Sequence, residues 1–149
     1  MSLAQPPSVR SGNADAVEAA FYEALQTADI EKLMACWADE ESIVCVHPGG
    51  RRLIGAASIR ASFDAIFSHG SLSAHGESVR RVQSPGVSIH SVLERLDVMT
   101  AEGPGQAYVL ATTVYLNTAQ GWRMVAHHAS PGTLLDLREL ANDGPQVLH

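Results

Sequence analysis

The sequence predicts an α+β fold in which three N-terminal helices pack on a strongly curved antiparallel sheet. Apolar residues recur at helical spacing through the first half of the chain, as far as Gly70. Four long extended runs follow, and short separators rich in Gly and Pro lie between them. Short turns between long strands join antiparallel neighbours, and helices grouped before strands are typical of α+β domains. Three helices over one face of a bent sheet would enclose a cone-shaped cavity.

The last extended run, Gly121 to Pro131, is the centre of this prediction. Successive side chains of a strand point to opposite faces, so strict alternation assigns one histidine to each face. One face would carry Trp122, Met124, Ala126, His128 and Ser130, and the other Arg123, Val125, His127 and Ala129. Because neither face is uniformly polar, we expect one face to wrap a pocket and the other to pack on a second subunit.

Composition excludes several classes of function. A chain of 149 residues with 46% hydrophobic residues fits one globular domain. The net charge of -6 and the single lysine, Lys32, argue against nucleic acid as a partner. Cys36 and Cys45 have no metal-ligand spacing and are interpreted as small core residues. No targeting or membrane-spanning segment is visible, so we expect no membrane partner and a cytoplasmic location.

The helical half begins after a loose arm at residues 1–12. Asn13 or Asp15 can cap the first helix, Asp29 starts a short second helix, and residues 56–69 form the third, with Ser58 within reach of its cap. We place one domain at residues 13–131 and a tail at 132–149, with a possible short helix at 134–141.

The predicted strands account for the rest of the chain. Residues 42–47 and 51–54 form a hairpin around Pro48-Gly49-Gly50. The four long strands that follow are expected at residues 72–82, 87–100, 106–117 and 122–130.

Four sequence pieces resemble the SnoaL-like and ketosteroid-isomerase-like families of the NTF2-like (cystatin-like cone) superfamily. They are residues 27–31 followed by 36–40, residues 44–50 followed by 53–55, Ala111-Thr112-Thr113-Val114-Tyr115, and the strand from Gly121 to Pro131. The last piece is also similar to the closing strand of the calcium/calmodulin-dependent kinase hub domain, and this likeness turns His127 inward and His128 outward. The resemblance covers residues 15–131 and implies the fold, but a fold does not fix a reaction.

The resemblance to the isomerase branch comes with departures at the catalytic positions. Where that branch has a catalytic aspartate before a proline, this sequence has His47 before Pro48. The helix-1 tyrosine position matches Phe21, with Tyr22 beside it, and the second acid falls near Thr112 or Thr113. We therefore do not expect steroid isomerase activity.

The candidate site consists of side chains expected to reach the cavity. His47, His127 and Glu94 are the candidate catalytic residues, since imidazoles titrate near neutrality and a buried carboxyl is shifted towards it. Each has a structural alternative: a turn histidine, a satisfied core histidine and a solvent-facing carboxylate. Candidate ligand-binding residues are Tyr22, Trp37, Phe63, Phe67, Thr113 and Tyr115, each of which could instead be core. His75 and His90 are interpreted as surface or sheet-edge residues.

Two functions remain open at this point. One is an enzyme without cofactor that performs acid–base chemistry on a small, apolar carbonyl compound. In that case His47 would move the proton, and Glu94 would orient a histidine. The oxyanion would be held by a hydrogen bond from His127, Tyr22 or Thr113. The other is a non-catalytic dimeric module that binds a small ligand. His47, Glu94 and His127 could bind a metal only as a widely spaced set, so no metal is expected. In both cases we expect a homodimer through the outer sheet face, because Trp122 and Met124 need cover.

Overall fold

The structure is a computed structural model that describes residues 13–142, with side chains described as far as residue 138. The predicted arm at residues 1–12 lies outside the described residues, as does the end of the predicted tail. Four helices are present within this range: α1 (Ala14–Thr27), α2 (Ile30–Ala35), α3 (Ala56–Phe67) and α4 (Leu134–Asn142). None of them is long and apolar enough to span a lipid bilayer.

Local sequence signals explain where the first two helices begin. The side chain of Asn13 accepts a hydrogen bond from the Ala16 backbone N–H, and that of Asp29 accepts one from Lys32. The third helix differs from the prediction, because Gly55 is its N-cap and no side chain caps it. Ser58 lies inside α3 rather than at its start.

Six strands form one curved sheet: β1 (Val44–Val46), β2 (Arg52–Ile54), β3 (Ser73–Ser84), β4 (Val87–Thr100), β5 (Gly103–Thr118) and β6 (Gly121–Pro131). Their order is β2-β1-β6-β5-β4-β3. The predicted α+β cone is confirmed, with one refinement: β1 pairs with β6 in parallel, so the sheet is mixed. Through this parallel pair, the hairpin of β1 and β2 lies beside β6, the last of the four long strands.

A bulge in β6 changes the face assignment predicted for this strand. Val114 pairs with Ala126 and Tyr115 pairs with Met124, so Val125 is an extra residue without a partner in β5. One extra residue reverses the alternation, and Met124 therefore lies on the same, inner face as His127. The prediction that Met124 faces outward is wrong: its side chain is fully buried, and its backbone bonds to Cys36 and Ala38.

The hydrophobic core lies between the helices and the inner face of the sheet. Its buried members lie on the three N-terminal helices, on β1, β3, β5 and β6 and beside these elements, and they include Phe21, Leu33, Ile59, Ala74 and Met124. Trp122, predicted to lie on the outer face, packs against this core. Both cysteines are buried, as predicted, and form no disulfide bond. Burial raises the pKa of Cys36 to about 11 and that of Cys45 to about 12.

Candidate functional site

A small cavity lies between α1, α3 and the inner face of the sheet. Its volume is about 130 Å³. Most of its lining is apolar, and three polar side chains interrupt it: His47, Glu94 and His127. The apolar lining is Phe21, Leu25, Pro48, Phe63, Ile66, Leu72, Ala74, Leu96, Val109 and Ala129. All three predicted catalytic residues therefore meet at one cavity.

The turn after β1 presents His47 at the cavity. Gly49 takes a positive φ of 74°, and the Gly50 N–H donates to the His47 carbonyl at 2.8 Å, which closes the turn. The imidazole packs edge-on against Phe63 of α3, with ring centroids 4.9 Å apart. Partial burial lowers the pKa of His47, so the neutral imidazole is favoured near pH 7.

The hydrogen bonds around Ser62 assign a tautomer to this histidine. Ser62 Oγ lies 2.9 Å from His47 Nε2, and the same hydroxyl donates its proton to the Ile59 carbonyl at 2.7 Å. Nε2 is then the donor in the first contact. This leaves the lone pair, and hence the basic function, on Nδ1.

The sheet register brings His127 beside the same turn. His127 pairs with Cys45, two residues before His47, and with Thr113 on the other side. Thr113 Oγ1 lies 2.8 Å from His127 Nδ1, while Nε2 makes no hydrogen bond to any described residue. Burial, followed by the nearby His47 and His128, lowers the pKa of His127 to about 4, so this imidazole is also neutral. His128 is exposed on the opposite face.

Glu94 enters the cavity from β4, and Tyr22 of α1 holds it. The Tyr22 hydroxyl donates to Glu94 Oε2 at 2.6 Å, and Oε1 has no partner among the described residues. Burial raises the pKa of Glu94 against the lowering effect of this hydrogen bond. The expectation that Glu94 orients a histidine is wrong, because its partner is the Tyr22 phenol. Arg95, its neighbour in β4, lies on the outer face and pairs with Glu77 and Asp97.

The other predicted ligand-binding residues take different positions. Phe63 lines the cavity, whereas Tyr22 and Thr113 touch it only through the side chains that they hold. Phe67 packs on Phe63, with ring centroids 6.2 Å apart, outside the lining. Tyr115 is buried against His90.

Trp37 lies away from the cavity, at a larger and more open groove of about 830 Å³ beside the start of α3. Its indole nitrogen is buried without a hydrogen-bond partner. Three acidic residues, Asp39, Glu40 and Glu41, border this groove, and none of the predicted catalytic residues does. Titratable groups converge at the smaller cavity instead, which is therefore the candidate site.

Sequence reasoning missed two features of the inner face. Phe21, at the position where the isomerase branch has tyrosine, lines the cavity, and its ring centroid lies 5.2 Å from that of His127. His90, predicted at the surface, is fully buried and bonded to Glu18 and Ser88. The alternation of β4 could have indicated this, because His90 and Glu94 share a face with Val92.

Among the described residues, Asp15, Glu18 and His90 bring three potential metal-ligand atoms within 4.8 Å of one another. Arg81 already supplies a cation there, since its Nε lies 2.8 Å from Asp15 Oδ1 and a terminal nitrogen lies 4.0 Å from Glu18 Oε1. Both ring nitrogens of His90 are also engaged, with Glu18 and Ser88. The carboxylates and the imidazole of this cluster are therefore already engaged with protein groups.

A curved sheet closed by three helices around a small, mostly apolar cavity defines an α+β cone of the small-molecule-binding type. A family model described as a SnoaL-like domain matches residues 14–133. The chain therefore belongs to the SnoaL-like family, within the NTF2-like fold. No curated protein sequence matches it.

Solved structures agree with this assignment. A Thiobacillus denitrificans protein, provisionally named a calcium/calmodulin-dependent protein kinase type II association domain, is 34% identical over 81% of this chain and 96% of its own, with a TM-score of 0.74. A Streptomyces avermitilis protein, provisionally named a dehydratase of the NTF2-like family, is 25% identical over 86% and 99% of the two chains, with a TM-score of 0.72. An uncharacterised Caulobacter vibrioides protein with a cystatin-like fold is 15% identical over 97% and 100%, with a TM-score of 0.69, and supports the fold alone.

Proposed function

We propose that the protein binds a small carbonyl compound in the cavity and moves a proton on the carbon next to the carbonyl group. The observation that carries this proposal is the convergence of His47, Glu94 and His127 on one apolar cavity, each in an environment that favours its neutral form. A neutral base facing neutral hydrogen-bond donors is suited to proton transfer at a carbonyl compound.

His47 is the proposed base. Its Nε2 is held by Ser62, and Nδ1 retains a lone pair that can accept the proton. A proton taken from the α carbon leaves negative charge on the carbonyl oxygen. Donors placed at that oxygen therefore lower the barrier.

Glu94 and His127 are the proposed donors to this oxygen. Glu94 Oε1 is available when the carboxyl is protonated, since Tyr22 engages only Oε2. His127 Nε2 carries a proton when the Thr113 hydroxyl donates to Nδ1. Tyr22 and Thr113 are then positioning residues that aim these donors.

The cavity limits the size of the ligand. Its 130 Å³ is close to the roughly 150 Å³ of an engineered apolar cavity that holds benzene. We therefore propose a carbonyl compound of about six to eight non-hydrogen atoms, far smaller than a steroid. Abstraction of an α proton is the first step shared by many isomerisations and dehydrations, and the S. avermitilis relative carries a dehydratase name.

The test is exchange of the α protons of cyclohexanone in D₂O, followed by proton NMR. We expect the protein to accelerate exchange above the buffer rate, and His47→Gln to reduce the acceleration by about 100-fold or more, which is the usual contribution of a general base. The matched control is His128→Gln, because His128 is exposed on the far face of the sheet. Exchange that is no faster than in buffer, or equal in His47→Gln and the wild type, contradicts the proposal.

A second candidate function is association, and the outer sheet face favours it. Val82, Ile89 and Val114 lie in one register row there, with Leu116 beside them. Val82, Ile89 and Leu116 are 69%, 37% and 36% exposed. The proposed homodimer therefore rests on this patch and no longer on Trp122 and Met124. The T. denitrificans relative is named as an association domain.

The oligomeric state tests the second candidate. We expect light scattering to give twice the 15.9 kDa chain mass, and Ile89→Glu to give the monomer. A wild-type protein that is monomeric at high concentration removes the dimer. Because the patch and the cavity lie on opposite faces of the sheet, the two functions are compatible.

A further inference from the structure

A second group of polar side chains lies on the inner face of the sheet, beyond the cavity. His90 is fully buried at its centre, with Nδ1 3.0 Å from Glu18 Oε2 and Nε2 3.1 Å from Ser88 Oγ. Asp15 and Arg81 close the group on its outer side through a contact of 2.8 Å. We call these five residues the His90 cluster.

The cluster and the cavity share two elements. Glu18 and Tyr22 lie four residues apart on α1, so they project from the same side of the helix. His90 and Glu94 lie four residues apart on β4, so they share its inner face. Two buried cross-links therefore join the same helix to the same strand: Glu18 with His90, and Tyr22 with Glu94.

The cross-links differ in which element supplies the carboxyl group. In the cluster, α1 contributes the carboxylate and β4 the imidazole; at the cavity, α1 contributes the phenol and β4 the carboxyl. Both carboxyl groups, those of Glu18 and Glu94, therefore lie along the same contact between α1 and β4. Glu18 is 9% exposed and Glu94 is 6% exposed, so water screens their interaction poorly.

The surroundings of Glu94 leave Glu18 as its charged neighbour among the described residues. Tyr22 faces it from α1, and its strand partners are Gly76 and Val109, which carry no charge. His47 and His127, from the hairpin and β6, share its cavity and are neutral. Arg95 lies on the opposite face. Burial raises the pKa of Glu94 most, and the nearby Glu18 raises it further. Burial and then Glu94 raise the pKa of Tyr22, and Glu18 adds to this effect.

We propose that Glu18 is a positioning residue for the cavity: anchored on His90, it fixes the helical turn that presents Tyr22 to Glu94, and its negative charge favours the neutral, hydrogen-donating Glu94 carboxyl. It does so without lining the cavity. This role of Glu18 rests on the proposed function, in which a protonated Glu94 donates to the carbonyl oxygen of the ligand.

The test is the titration of Glu94, followed by carbon NMR of ¹³C-carboxyl-labelled glutamate and assigned with Glu94→Gln. In Glu18→Gln, which keeps the shape and an acceptor oxygen but removes the charge, we expect the pKa of Glu94 to fall by about half a unit or more. Ser88→Ala is the matched control, because it removes a hydrogen bond of His90 without changing any charge. An unchanged Glu94 titration in folded Glu18→Gln overturns the proposal.

Arg81→Gln provides an independent variant in case Glu18→Gln does not fold. The Arg81 side chain is exposed and lies 4.0 Å from Glu18, so its loss leaves the Glu18 charge less compensated. We expect the pKa of Glu94 to rise, opposite to the effect of Glu18→Gln. If the His90 cluster has only a structural role, the pKa of Glu94 changes in neither variant. The measurement uses no substrate, so it stays decisive even if cyclohexanone exchange fails.

Discussion

The cavity and the His90 cluster are built from the same residue types but differ in how their hydrogen bonds are completed. In the cluster, both nitrogens of His90 have partners, and Arg81 contacts both carboxylates. At the cavity, Glu94 and His127 each form one side-chain hydrogen bond and keep a second polar atom without a partner among the described residues. Buried groups that are half-satisfied cost stability, so they mark the place where a ligand completes the bonds.

The two regions also differ in charge. Burial favours the neutral forms of Glu94 and His127 at the cavity, and no lysine or arginine lines it among the described residues. In the cluster, by contrast, Arg81 pairs with both Asp15 and Glu18. We expect the His90 cluster to stabilise the fold and the cavity to carry the proposed chemistry, and three predictions test that division.

The largest expected effect is on stability, at the cluster. Removing the imidazole with His90→Ala leaves Glu18 buried without its partner, and breaking one side of a buried charged contact costs about 3–5 kcal/mol. Urea denaturation at pH 7 measures this loss. His75→Ala is the control, since His75 is only partly buried at the β3 edge and should cost less than about 0.5 kcal/mol. A loss below about 1 kcal/mol in His90→Ala contradicts a structural role for the cluster.

A smaller effect on stability is expected at the cavity, and it appears only at acid pH. The pKa of His127 is about 4 in the fold, below its ordinary value of 6.5, so its contribution to stability is present above about pH 6.5 and is lost as the pH falls towards 4. The shift corresponds to roughly 3 kcal/mol. Comparing urea denaturation at pH 7 and pH 4, we expect His127→Gln to lose less stability in acid than the wild type.

His128→Gln serves as the matched control for this measurement. Its side chain is exposed, one residue further along β6, so the variant should keep the full acid sensitivity of the wild type. Equal acid sensitivity in His127→Gln and the wild type would show that the buried imidazole is not the group that titrates.

The smallest effect concerns the link between the two regions. The Tyr22 hydroxyl donates to Glu94 and so favours the charged carboxylate. In Tyr22→Phe we expect the pKa of Glu94 to rise by about one unit or less, the value of one hydrogen bond. Carboxyl NMR titration measures this. A fall in the Glu94 pKa would mean that the phenol does not act through this hydrogen bond.

The sequence predicted the architecture because periodicity and turn residues are local signals. The third helix, the bounds of β4 and the cap at Asn13 follow from residues within a few positions of each element. The family resemblance added the cone, and with it the expectation that His47 and His127 share a cavity. Their convergence depends on the parallel pairing of β1 with β6, which no local pattern encodes.

The errors came from features set by tertiary contacts. Strict alternation placed Met124 outside, because a bulge at Val125 is invisible to a period of two. His90 was assigned to the surface as an isolated polar residue, since its partner Glu18 lies 72 residues away on α1. The same separation hid the contact between Tyr22 and Glu94, which decides what Glu94 does.

The most direct test of a functional cavity is a crystal structure of the protein with cyclohexanone bound. The account predicts the ring inside the 130 Å³ cavity, with its oxygen within hydrogen-bond distance of Glu94 Oε1 or His127 Nε2 and its α carbon facing His47. A cavity that stays empty at saturating ketone, or a ketone bound only at the groove beside Trp37, would contradict it.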